Sequence, residues 1–328
     1  QATLQDLGRP GFLRQGVPAS GALDQPTVRL LNRLVGNIDT APVIEFLIQG
    51  PELVCEATSA RLAVANTTAE VVRRDGRRER LRAFLSVTLF SGDSLRVGRS
   101  TAAVCGYVGI AGGLSIPPVL SSLSTYGRGR FGGLDGRPLS AGTKLPLNQA
   151  EAHGPARVLP VLPRFHHDGP IRVVPGPQAD AFTEEATAQF YGEAYTIGPA
   201  SDRVGLRLDG PDLPHRAGFE VLSEGIAPGS IQVPGTRQPI VLLNDRQTIG
   251  GYPKIATVAG VDLARLASKR VGDAVRFKAI SRDQAEDLRG RYEHHLDALT
   301  AKITEAPPIG AINETALTQV DLTGEGSD

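Results

Sequence analysis

Short apolar runs rich in β-branched and aromatic residues recur roughly every ten residues along this chain, each closed by Gly, Asp, Ser or Pro, as at 43–48, 61–65, 83–90 and 102–110. Such spacing points to a closed barrel or sandwich rather than to βαβ units. The chain is therefore expected to be mainly β. Its 38 glycines and 24 prolines are spread over 328 residues rather than gathered into one tract, as turns between many short elements require.

A chain of this length exceeds one ordinary core, and two domains are expected. The stretch 148–170 is rich in Pro, His and Gly and lacks periodicity, which places a boundary there. The expected division is 1–160, 168–280, and a C-terminal helix and tail over 281–328. A Gly turn followed by an alternating strand recurs at 91–97, 141–147 and 271–277, in keeping with two similar β-domains. Further strands are expected at 171–174, 230–233, 240–243 and 254–258.

A few helices are also legible. Residues 24–35 carry Asp24 as N-cap, Pro26 in the first turn, Val28, Leu31, Leu34 and Val35 on one face, and Gly36-Asn37 as a stop. Residues 179–191 and 262–268 read as helices. Over 281–300, Ala285, Leu288, Tyr292, Leu296 and Leu299 mark a long amphipathic helix. The polar tail beyond Thr304 is expected to be loosely attached or to form an arm across a partner.

Composition removes several function classes. Lys and Arg number 35 and so do Asp and Glu, leaving no basic footprint for nucleic acid or an anionic membrane surface. No apolar run is long enough for a membrane helix. Cys55 and Cys105 sit in strand-like runs and are expected to be buried thiols of a reducing, cytoplasmic compartment. The six histidines are scattered or adjacent, as in His166-His167 and His294-His295, so no metal site is expected. The opening Gln1 falls inside what reads as a motif, so further residues are expected before it.

Four segments can carry chemistry. The first joins Asp6-Leu7-Gly8-Arg9-Pro10-Gly11 to a Gly/Pro-rich turn ending at Asp24. Arg9 can clamp a carboxylate or phosphate, and the amides near Ser20 and Asp24 suit an anion. Equally, these are turn and capping residues, with Arg9 paired to Asp6. The second, 121–133, groups the hydroxyls of Ser124 and its neighbours with Tyr126, Arg128 and Arg130, in a long stretch without periodicity. In the third, Ser201-Asp202-Arg203-Val204-Gly205, Arg203 either braces a turn or faces a ligand.

The fourth is Gln247-Thr248-Ile249-Gly250-Gly251-Tyr252-Pro253-Lys254. With Gln232 it gathers neutral donors and acceptors between apolar strands, and Gly250-Gly251 permits close backbone approach. Only five of the basic residues are lysines, and Lys254 is one; Asp245 is placed to orient or neutralise it. A packed hairpin with a Gly-Gly turn is the simpler alternative. No P-loop, no Gly-x-Ser-x-Gly elbow, no amidase arrangement and no biotin-attachment lysine occurs.

Together, residues 5–24, 121–126, 201–208 and 229–256 resemble the allophanate hydrolase subunit 2 family, also called urea amidolyase-related or KipA-like, which includes the C subunit of 5-oxoprolinase. The resemblance runs from the first residue to about 279. It implies two cyclophilin-like β-barrel domains, akin to carboxyltransferase subdomains C and D. It also implies a smaller subunit 1 (KipI-like) partner, and in some complexes a third 5-oxoprolinase subunit. Any ATP would act at the level of the complex, and biotin would be carried elsewhere. Leu23 and Val204 stand where the family commonly has methionine, and Ile249 where it has threonine, which removes a hydroxyl from the expected site.

The leading expectation is a subunit of an enzyme that opens a small amide or lactam, 5-oxoproline above others. Lys254, Gln247 and Tyr252, with Gln232, would polarise the carbonyl. Arg9, Tyr126 or Arg203 would hold a carboxylate, while Ser20, Asp24, Ser124, Thr248, Gly250 and Gly251 complete the site. Alternatives are a biotin-dependent carboxyltransferase component for urea or a related amide, and a non-catalytic regulatory partner of the KipI-like subunit.

Overall fold

The structure, a computed structural model, describes residues 1–101, 103–163 and 169–307. His166-His167 and most of the polar tail fall outside these residues. The first part holds nine strands: β1 (Ala2–Gln5), β2 (Val43–Leu47), β3 (Glu52–Val54), β4 (Ser59–Ala65), β5 (Thr67–Val72), β6 (Arg78–Leu81), β7 (Ser86–Phe90), β8 (Ser94–Ser100) and β9 (Cys105–Ile110). They form a five-stranded sheet, β1-β2-β9-β4-β7, and a four-stranded sheet, β3-β8-β5-β6. The β5–β6 hairpin is absent from the sequence reading because Arg73, Arg74, Arg77, Arg78 and Arg80 interrupt its apolar pattern. The turn-plus-strand repeat holds at β8, whereas 141–147 forms no strand beyond an isolated bridge from Leu147 to Leu114.

Side-chain alternation makes the five-stranded sheet two-faced. Ile44, Phe46, Leu62, Val64, Val87 and Val108 pack with the four-stranded sheet's Val71, Leu81, Leu95 and Val97. Val43, Ala63, Ala65, Cys105 and Tyr107 point the other way, onto helix α1 (Gln25–Val35). Gly109 permits this approach, since a Cβ there would lie 3.0 Å from Leu31 Cγ. Helix α1 forms as its sequence prescribes: the Asp24 carboxylate accepts from Thr27 N–H, and Gly36 closes the helix at φ 84.

The second part adds β10 (Arg157–Val158), β11 (Ile171–Pro175), α2 (Glu184–Gly192), β12 (Tyr195–Ile197), β13 (Gly205–Asp209), β14 (Glu224–Gly225), β15 (Ser230–Gln232), β16 (Ile240–Leu242), β17 (Ile249–Gly250), β18 (Lys254–Val258), α3 (Gly260–Ala267), β19 (Ala274–Val275), β20 (Phe277–Ala279), α4 (Arg282–Thr300) and β21 (Thr304–Glu305). The main sheet runs β19-β12-β13-β16-β15-β18-β11-β20. Its end strands β19 and β20 are separated only by Arg276, so the sheet nearly closes on itself into a barrel. The helix expected over 179–191 is split: a single 3-10 turn at Ala179–Ala181 precedes α2, which starts at its Thr183 cap.

One apolar cluster spans both parts. It joins Val28, Leu31 and Leu34 of α1 to Ile231, Val241 and Val258 of the barrel and to Leu296 and Leu299 of α4. The chain after α4 is anchored as far as it is described: β21 pairs antiparallel with β10, and Ala306 N–H donates to Ala156 O at 2.8 Å. Cys55 and Cys105 are buried free thiols. No helix among the described residues is long and apolar enough to cross a membrane.

Candidate functional site

The loops around Gly8 and Gly21 run back to back. Both glycines have positive φ; a Cβ on Gly8 would lie 2.6 Å from Ala19 O, and one on Gly21 2.8 Å from Gly8 N. The Asp6 carboxylate accepts from Ser122 Oγ at 2.8 Å, Ser124 Oγ at 2.5 Å, and the amides of Leu123 and Gly8 at 2.7 Å. It is satisfied without Arg9, so no Asp6–Arg9 pair forms, and the Ser124 hydroxyl is engaged with Asp6 rather than with a ligand.

Arg9 is instead enclosed, at 1% exposure. One Nη donates to Ser124 O, and the guanidinium lies 5.0 Å from the Phe131 ring centroid. Its Nε and other Nη have no partner among the described residues. Burial pushes its pKa down, against the pull of Asp6 and Asp245. Tyr126 stands edge-on to Phe131, ring centroids 5.4 Å apart, and burial, with Asp245 nearby, raises its hydroxyl pKa. Arg9 and Tyr126 thus both pack on Phe131, but Arg9 is covered rather than open.

Arg203 ties the two parts together. Its Nε donates to Asp245 Oδ2 at 2.9 Å, one Nη to Glu45 Oε1, and the other to Gly21 O at 2.6 Å. Glu45 also accepts from Leu23 N–H at 2.9 Å and from the Tyr107 hydroxyl at 3.0 Å, which in turn accepts from Asp24 N–H at 3.0 Å. Burial outweighs the pull of Arg203 and these donors and raises the Glu45 carboxyl pKa, while Glu45 and Asp245 raise that of Arg203 despite its burial. Its fork is fully used, so it is a tie and not a substrate clamp. Asp245, expected beside Lys254, belongs to this network.

Lys254 is 3% exposed, and its Nζ lies 2.5 Å from Glu224 Oε1, a close ion pair not aligned as a hydrogen bond. Lys254 and a 2.6 Å hydrogen bond from Gln178 Nε2 hold the Glu224 carboxyl below its usual range. Gln232 faces Lys254 across β15 and β18 at a register shift. Its carbonyl accepts from Gln247 Nε2 at 3.4 Å, while its amide nitrogen has no partner among the described residues.

Strands β14 and β17 form a small ribbon over these groups. The close approach at Gly250-Gly251 is made by protein: a Cβ on Gly250 would lie 2.6 Å from Ile226 Cδ1 and 2.8 Å from Gln232 Nε2, and one on Gly251 3.0 Å from Val221 O. Thr248 O accepts from Ile226 N–H at 3.0 Å. Ile249 is 61% and Tyr252 41% exposed, so Tyr252 stands outside the buried Gln232–Lys254 group.

At the start of α1 the two expected anion-facing residues part ways. Asp24 caps the helix, bonding Thr27 N at 3.1 Å and Thr27 Oγ1 at 2.7 Å. Ser20, in the left-handed region at φ 54, has a buried hydroxyl without a hydrogen-bond partner among the described residues. It lines a cavity of about 260 Å³ with Asn244, Arg246, Gly260, Val261 and Tyr292. Sequence reasoning gave Asn244 and Arg246 no role, although they lie within the 229–256 segment, and missed Glu45, Gln178 and Glu224. Glu45 did carry a signal, as a lone acid among Val43, Ile44, Phe46 and Leu47, since a buried carboxylate needs a paired cation. Among the described residues no group of His, Cys, Asp or Glu side chains is placed to hold a metal.

A nearly closed barrel bound through a buried ion network to a two-faced sheet has counterparts among known proteins. The family model for the carboxyltransferase domain, subdomain A and B, matches residues 15–279, and the chain belongs to that family. The letters are A and B where the resemblance implied C and D. The chain is 34% identical over 305 residues to the C subunit of 5-oxoprolinase from Haemophilus influenzae, covering 93% of this chain and 96% of that one. It is 33% identical to the C subunit of the Escherichia coli 5-oxoprolinase, covering 92% and 95%. The crystal structure of the K. lactis urea amidolyase superposes with a TM-score of 0.81 at 28% identity, over 91% of this chain but only 19% of that much longer one.

Proposed function

We propose that this chain is a subunit of a heteromeric enzyme acting on a small amide or lactam, with ATP-dependent ring opening of 5-oxoproline as the reaction. The supporting observation is mutual coverage: the match to a 5-oxoprolinase C subunit takes in 93% of this chain and 96% of that one. The match to urea amidolyase takes in only 19% of the longer protein. The Gln232 amide and Lys254, beneath the β14–β17 ribbon, are the donors best suited to stabilise charge developing on an amide oxygen. Substrate reaches them when the ribbon lifts or a partner subunit reshapes it. The smaller subunit 1 and a third subunit supply the remaining groups, including any that hold ATP. The test is turnover of 5-oxoproline with ATP by the reconstituted complex. Absence of turnover with every subunit present, or full activity in a Lys254→Ala, Gln247→Ala double variant, would sink the proposal.

A second reading, a biotin-dependent carboxyltransferase component, draws support from the name of the matched family and the superposition on urea amidolyase. It predicts transfer of labelled CO₂ from carboxybiotin to urea or a related amide by the complex, and no ATP-dependent ring opening.

A further inference from the structure

The cavity of about 260 Å³ lies where both parts of the chain meet α3 and α4. That is just below the usual range for small-molecule sites, and suits a small metabolite. Three independent features favour an anion there. Arg246 is 2% exposed. Its Nε donates to Ile226 O at 3.0 Å and one Nη to Leu243 O at 3.3 Å, and no carboxylate among the described residues pairs with it. A buried guanidinium left without an acid is costly unless something else balances it.

Ser20 supplies the second feature. Its buried hydroxyl has no hydrogen-bond partner among the described residues, and its backbone is held at φ 54 by a 3.0 Å bond from Ser20 N–H to Asn244 O. The left-handed conformation is unfavourable for a residue with a Cβ, so surrounding structure imposes it. The third feature is the start of α3. Ala259, its N-cap, offers no side-chain acceptor; the Asp262 N–H donates to Ala259 O at 2.8 Å, which leaves the Gly260 and Val261 amides without the usual side-chain cap. The Asp262 carboxylate of that turn accepts from the Arg172 side chain at 2.5 Å and 2.9 Å. Gly260 lines the cavity, and a Cβ there would meet nothing within 4 Å. The carboxylate in the lining, Glu293, is shared between Arg29 and Arg289, each at 2.9 Å.

We infer that this cavity binds a small organic carboxylate, held by the Arg246 guanidinium, the Ser20 hydroxyl and the Gly260 and Val261 amides at the start of α3. The inference rests on the proposed function only for its probe, L-5-oxoproline; Gln232, Gln247 and Lys254 do not line this cavity. The experiment titrates the full chain in its reconstituted complex with L-5-oxoproline, with 2-pyrrolidinone (the same ring without the carboxylate) and with inorganic phosphate. L-5-oxoproline is expected to bind at least tenfold tighter than 2-pyrrolidinone. Arg246→Gln and Gly260→Leu should each weaken it at least tenfold. Ser20→Gly should weaken it severalfold with an unchanged or raised Tm.

Because Arg246 also bonds two carbonyls, Gly260→Leu, which fills open space, keeps the test decisive. Unchanged affinity in folded Gly260→Leu, equal binding of 2-pyrrolidinone, or phosphate binding as tightly as the acid would overturn the site. The two proposals separate cleanly. Turnover of 5-oxoproline, with binding of the acid unchanged in Gly260→Leu, removes the site and keeps the reaction. Carboxylate binding that depends on Gly260 and Arg246, in a complex that never turns over, keeps the site and removes the reaction.

Discussion

At the scale of single residues, the network Asp24–Tyr107–Glu45–Arg203–Asp245 is where one side chain matters most. Glu45→Gln leaves Arg203 with one carboxylate in a buried site, and should cost roughly 3 to 5 kcal/mol, as breaking a buried pair does. Chemical denaturation checks this; a loss below about 1 kcal/mol would mean that the pair is dispensable. Asp262 offers a pH test. Burial raises its carboxyl pKa, but the hydrogen bonds from the Arg172 side chain and amide outweigh burial and hold it below the usual range. A depressed folded value stabilises fully above the unfolded pKa of about 3.9, and that stabilisation is lost as pH falls through the lower folded value. Asp262→Asn should therefore be destabilised at pH 6 and converge on wild type in strong acid. A gap that stays constant down to about pH 2 would contradict this.

Among the elements, α4 bears most on the architecture. Its Ser281–Gln284 capping box starts it, and its salt bridges Arg29–Glu293 and Arg33–Asp297 bind it to α1, each at 2.9 Å. Only its C-terminal half is buried, through Leu296 and Leu299. Ser281→Ala should therefore cost about 1 kcal/mol at most and fray the exposed first turns. Leu296→Ala, in the shared core, should cost about 2 to 5 kcal/mol. Amide hydrogen exchange together with thermal denaturation would separate the two; equal losses would mean that the helix docks along its whole length. The β14–β17 ribbon is the opposite kind of element. It is two residues deep on each side and carries the exposed Ile249, so its position depends on what packs over it.

For the whole molecule, the shared apolar cluster and the Arg203 tie make the two parts one cooperative unit. Calorimetry should give a single endotherm, with calorimetric and van't Hoff enthalpies that agree. Two resolved transitions would show that the parts fold independently. The same junction brings together residues distant in sequence, such as Ser20, Asn244 and Arg246. The carboxylate cavity exists only when both parts are folded against each other.

How much was legible follows from how local each interaction is. Helix α1, with its Asp24 cap and Gly36 stop, and the short strand runs were readable because caps, turns and alternation act within a few residues. The motif segments likewise pointed to the junction. Their side-chain partners were not readable. Arg203 chose Glu45 and Asp245, Lys254 chose Glu224, and Gly250-Gly251 made room for protein rather than ligand. The spacing of the strands did point to a closed barrel or sandwich, but not to β19 and β20 as the strands that nearly close it, nor to the cavity at α3. By itself the sequence determined the mainly β character, the placement of most elements and the family. The tertiary structure decided which buried charges are spent on one another and which, Arg246 foremost, have no acid partner among the described residues. Charge pairing in a desolvated interior depends on distance in space, and one linear pattern leaves that distance open.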